Sequence, residues 1–145
     1  MNPQRTLKLL LGMTLTALLL TGCCGLSLLD RETPELRYDG VYQSDKVNDE
    51  YWYYIRFYED GTVLTVSSTG SASNVIDWLT VDRVGSPGVS IGVYELDGDQ
   101  ISFSATSERG TVDYEGDVLA DGIELDSHSH INDHRGHRAY HFVAE

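Results

Sequence analysis

The sequence predicts an all-β fold: a single small antiparallel up-and-down β-barrel of about eight strands, with a β-sandwich as the alternative and one short helix near 74–80. Three observations carry that reading. From Tyr38 onward, apolar and polar residues alternate in short runs. Turn residues separate the runs at fairly even spacing. The dipeptide Asp-Gly stands between alternating runs at Asp60-Gly61, Asp97-Gly98 and Asp121-Gly122, which is the strongest short-range hairpin signal.

Taken in order, Gly40–Ser44 reads as the first strand. Residues 51–58 form a second, rich in aromatic side chains that favour strands. Glu59-Asp60-Gly61 turns the chain into a third strand, 62–68. Residues 73–83 interrupt the pattern. Asn74 with Asp77 three positions later resembles a capping pair, and Val75, Ile76 and Leu79 would share one helical face, with a ninth strand as the alternative. Gly85-Ser86-Pro87-Gly88 ends that segment. Strands 89–96 and 100–106 follow, then 111–118 and 123–128, then a last strand, 137–143, after a polar loop.

Alternation assigns the faces. Ile55 and Phe57 oppose Arg56. Ile101, Phe103 and Ala105 oppose Ser102, Ser104 and Thr106. Val112 and Tyr114 oppose Asp113 and Glu115. Ile123 and Leu125 oppose Glu124 and Asp126, and Tyr140 and Phe142 oppose His141. Each strand thus has one apolar and one wet face, as an antiparallel sheet with one side in water requires.

The 145-residue chain has 23 acidic and 10 basic residues, a formal net charge of −13. Such a chain does not bind nucleic acid by neutralising phosphates, and anionic lipid head groups repel it. Its two cysteines, Cys23 and Cys24, are adjacent, so no disulfide is expected within the folded region. Cys24 is open to three readings: a second lipid site, an intermolecular disulfide partner, or no role.

The first 22 residues read as a targeting segment. Arg5 and Lys8 precede an apolar run from Leu9 to Leu20 that is too short to span a bilayer. Leu20-Thr21-Gly22-Cys23 resembles the lipobox of bacterial lipoproteins. That resemblance implies a signal peptide at 1–22, cleavage before Cys23, and lipidation of Cys23 with acyl chains, palmitate among them, that hold the protein on a membrane. Loss of residues 1–22 removes two cations and no acid, so the remainder is more acidic still. Because Asp does not follow Cys23, resemblance to Gram-negative sorting implies the outer membrane where the host has two. Residues 23–37 read as a lipidated tether and 38–145 as the barrel domain. An eight-stranded meander with Gly40-Val41-Tyr42 near its start is similar to lipocalin-like, or calycin, barrels, with Tyr42 where Trp is usual. That similarity implies a barrel able to hold a small apolar ligand.

No Gly-rich phosphate loop, Cys-His metal spacing or nucleophile elbow occurs, so no enzymatic activity is expected. The primary expectation is a non-enzymatic, lipid-anchored envelope lipoprotein with a binding or scaffolding role toward an envelope protein. The runner-up rests on the histidines, all of which fall between His128 and His141. His128 and His130 share a strand face with Asp126, and His137 and His141 also face outward. A hairpin around residues 132–136 would set His130 opposite His137 and Asp126 opposite His141. Those imidazoles with Asp126 make a candidate site for zinc or copper. A second surface is Trp52, Tyr54 and Tyr58, aromatic residues on the outer side of their strand. Either residues 75–79 or the tether covers them, or a partner does.

Overall fold

A computed structural model describes residues 33–145. The targeting segment, Cys23 and Cys24 lie outside the described residues. Eight antiparallel strands close into a barrel in which each strand pairs with its sequence neighbours and the last returns to the first. They are β1 (Gly40–Ser44), β2 (Trp52–Phe57), β3 (Thr62–Ser68), β4 (Ser90–Asp97), β5 (Gln100–Ser107), β6 (Gly110–Val118), β7 (Gly122–Ser129) and β8 (Arg135–Ala144). The barrel therefore replaces the sandwich alternative.

The turns show why the meander forms. Between β2 and β3, Gly61 takes a φ of +92°, and the Asp60 carboxylate accepts the Thr62 N–H at 2.9 Å. This is the three-residue hairpin whose left-handed position favours glycine. Between β4 and β5, Asp97 pairs with Gln100, and φ is positive at Gly98 (+65°). A two-residue turn with glycine first suits the twist of the strands it joins.

Two apolar clusters lie on opposite sides of the wall. The barrel interior is filled by Tyr42, Ile55, Phe57, Ile101, Phe103, Ile123 and Leu125 among others. Phe57 is fully buried and meets Tyr42, Tyr94 and Phe103 edge-on at 5.5, 5.2 and 5.6 Å between ring centres. These rings pack against one another in the barrel interior. The inward residues are those that alternation assigned.

The second cluster is outside. Helix α1 (Ala72–Trp78) covers the outer face of β1–β3, with Val75, Ile76 and Leu79 against Val41, Tyr54, Leu64 and Val66. The N-cap is Ser71, without a side-chain cap, and not Asn74 as the sequence suggested. The helix begins two residues earlier, and burial of Ala72 fixes its start. Arg56 fastens its far end, donating to the Ile76 and Leu79 carbonyls at 2.6 and 3.3 Å. A cation suits the negative end of a helix. The Tyr54 hydroxyl donates to Gly70 O at 2.7 Å and the Tyr58 hydroxyl to Leu79 O at 3.3 Å. Tyr54 is thus sealed under α1 and is not a surface for a partner. Trp52 and Tyr58 keep partial exposure at the margin of this cluster.

The folded unit begins before Tyr38. Leu36 is buried within the barrel interior, and the Arg37 backbone N–H donates to the Tyr42 hydroxyl at 2.8 Å. The compact unit runs from Glu32 to Glu145. The end of the segment read as tether therefore plugs the barrel where β1 starts. The opposite end, beside the β7–β8 loop, is the more polar one.

Candidate metal centre

The outer wall of β4–β8 is built by alternation. Its outward residues on paired strands include Glu95, Asp97, Asp113, Glu115, Asp117, Glu124 and Asp126. An outer wall this rich in carboxylates suits water rather than lipid. A shallow groove of about 570 Å³ runs along it, bordered by Ser104, Asp113, Glu115, Asp126, His128 and Arg135.

At one end of this wall, Asp113, His128 and His130 bring one ligand atom each to within 4.8 Å of one another. Backbone pairing places them. Asp113 of β6 stands directly opposite His128 of β7. The chain stays paired one step beyond β7, where the His130 N–H donates to Thr111 O at 2.9 Å. His130 thus falls on the diagonal from Asp113, on the same outward face as His128. The two imidazole rings lie 4.7 Å apart. Nε2 of His130 hydrogen-bonds to Asp113 Oδ2.

Neighbours orient the trio. The Ser104 hydroxyl donates to Asp113 Oδ1 at 2.6 Å. That bond first, and His130 second, hold the Asp113 carboxyl below the usual carboxylate range. Asp113 is therefore an anion at neutral pH with one oxygen fixed and the other aimed at His130. Asp133 lies 2.7 Å from His128 Nε2, and its own carboxyl is held low mainly by that contact. Both contacts favour the folded state at neutral pH and lose that contribution as pH falls through the acid range. Two imidazoles and one to two carboxylate oxygens form a donor set that suits zinc, copper or nickel.

The histidines are not grouped as the sequence suggested. In the β7–β8 hairpin, Asp126 pairs with His137, His128 with Arg135 and Gly122 with His141. His130 is not opposite His137, nor Asp126 opposite His141. The register differs by four residues. An even slip leaves every side chain on its face, so alternation cannot detect it. The turn decides. Asp133 adopts the left-handed conformation at φ +56°, and the Asn132 carboxamide accepts the His134 N–H at 3.2 Å. Gly136, which suggested a later turn, lies inside β8. His137 instead pairs with Asp126 at 2.9 Å, and His141 lies 3.9 Å from Asp45. Asp126, His137 and His141 are thus separate from the trio.

Asp113 was missed, although the sequence holds the signal. Counting back from the Asp121-Gly122 turn with Val118 opposite Ile123 sets Asp113 opposite His128.

No family model, curated protein or solved structure shows a significant match to this chain.

Proposed function

We propose that this chain is a lipid-anchored, non-enzymatic protein of the cell envelope whose barrel binds a divalent transition-metal ion, zinc or copper. One observation carries the metal reading: ligand atoms of Asp113 and His128, on paired strands, and of His130, in the turn that follows β7, converge within 4.8 Å. The sheet fixes Asp113 and His128 directly, and the His130 N–H bond to Thr111 O holds the third ligand beside them. Asp133 stands beside it as a further oxygen donor. The lipobox-like Leu20-Thr21-Gly22-Cys23 supports the anchor, and the acidic outer wall keeps the folded part off an anionic membrane surface. A fold of this shape is consistent with lipocalin-like barrels, and the ring packing around Phe57 favours a role on its walls and rim.

Two experiments test the halves separately. For the anchor, Cys23→Ser should block lipidation and leave the precursor unprocessed. Mass spectrometry of the mature protein should find an acylated N-terminal Cys23. An unmodified N-terminus at another residue removes the anchor.

For the site, zinc or copper is titrated calorimetrically into the unit 32–145. Binding needs unprotonated imidazoles, which as a class take up protons around pH 6.5. It should be clear at about pH 7.5 and much weaker at about pH 5.5. The His128→Ala, His130→Ala double variant should lose more than the roughly 10–100-fold typical of removing a partner outside the ligand shell. His137→Ala, on the separate pair, should bind like the parent. Equal loss in both variants would mean that binding is spread over the surface.

A further inference from the structure

The polar end of the barrel interior contains a cation that the metal reading does not use. Arg138 faces inward on β8, opposite the buried Leu125. Its guanidinium lies 4.9 Å over the Tyr53 ring. Among the described residues, no ion pair involves Arg138. Beside Arg138 is a cavity of about 190 Å³ lined by Tyr53, Tyr114, Tyr140 and Ser127 and by no carboxylate. Gly136 also borders it, and its missing side chain leaves the space open.

The chemistry of the lining selects its occupant. Burial is the main cause that raises the phenols of Tyr114 and Tyr140 and pushes Tyr53 up to about 12. They stay neutral and can donate hydrogen bonds. Arg138 lines the same cavity as all three, and its positive charge acts on them in the opposite direction. A planar guanidinium offers a two-pronged donor that fits a carboxylate. Aromatic walls suit a flat apolar body. A cavity of about 190 Å³ limits the ligand to the size of a single ring with its carboxylate.

We propose that the polar end of the barrel binds a small organic carboxylate, its oxygens on the Arg138 guanidinium and its body against Tyr53, Tyr114 and Tyr140. The site is inside the wall and does not depend on the metal centre outside it. Benzoate is the probe, benzamide its neutral counterpart, and inorganic phosphate the alternative anion. Each is titrated into the full chain in detergent and followed by calorimetry.

Benzoate should bind, and benzamide should bind about tenfold or more weakly, since a hydrogen bond to a charged group is being removed. Arg138→Met should lose benzoate by a similar factor, and Arg138→Lys, which keeps the charge without the fork, should lie between. Gly136→Val keeps the guanidinium and fills the space, so it should also lose benzoate while retaining the parent's circular dichroism. This variant covers the case in which Arg138→Met does not fold. Arg109→Met, an exposed cation elsewhere, should bind like the parent. Absence of benzoate binding, equal affinity for benzamide, tighter binding of phosphate, or unchanged affinity in Gly136→Val would overturn the proposal.

Discussion

Replacing Phe57 by alanine should destabilise the barrel by about 3–5 kcal/mol, the range for removing a large buried aromatic side chain. Phe57 is the ring on which the interior converges. It is fully buried and meets three other aromatic rings edge-on, an arrangement that adds to simple area burial. Those rings come from β1, β4 and β5, so collapse around the void would require several strands to shift together. Ser102→Ala, on the exposed outer wall, should stay within about 0.5 kcal/mol. Urea unfolding followed by the fluorescence of Trp52 and Trp78 measures both. Comparable losses would mean that the wall does not separate a packed side from a wet one.

Gly116→Ala should be similarly damaging, at or beyond the upper end of the about 1–3 kcal/mol typical of overpacking. Gly116 faces inward opposite Leu125 on the β6–β7 pair. A Cβ there would overlap the Glu124 carbonyl oxygen and crowd the Leu125 Cα. Both are backbone, so neither can rotate away. Glycine at this position lets the neighbouring strand approach closely where the sheet curls, a recognised use of strand glycines. The loss should also reach the metal centre, because the same strand pair sets Asp113 opposite His128. Gly136→Ala makes the contrast: its Cβ would find only side-chain atoms at 3.5 Å, and little should change. If Gly116→Ala proves as stable as the parent, close strand approach is not what that glycine provides.

Most of the barrel was legible because it is built from local signals. Alternation placed Ile101, Phe103 and Leu125 inside and Ser102, Ser104 and Asp126 outside, and the Asp-Gly turns ordered the strands as neighbours. Three features were not legible for physical reasons. The β7–β8 register slipped by four residues, a change invisible to a two-residue period, because Asp133 and not Gly136 makes the turn. Leu36 belongs to the core although it lies before the first strand, since a plug shows no periodicity of its own. Trp52, Tyr54 and Tyr58 faced outward as expected, but whether α1, the tether or a partner covered them depended on tertiary packing. The hydrogen bonds of Tyr54, Arg56 and Tyr58 to the carbonyls around α1 resolve that for the described residues. The candidate metal centre was half visible. His128 and His130 were singled out, while the acid that joins them is on β6 and was reached only through the β6–β7 pairing.

The measurement that bears most directly on the metal centre is anomalous diffraction at the zinc edge from crystals grown with zinc. One peak should lie between the Asp113 carboxylate and the His128 and His130 rings, at about 2.0–2.2 Å from the ligand atoms. A peak at the Asp126–His137 pair instead, or none at this trio at near-neutral pH, would contradict the assignment and leave Asp113, His128 and His130 as ordinary ion-paired residues of the outer wall.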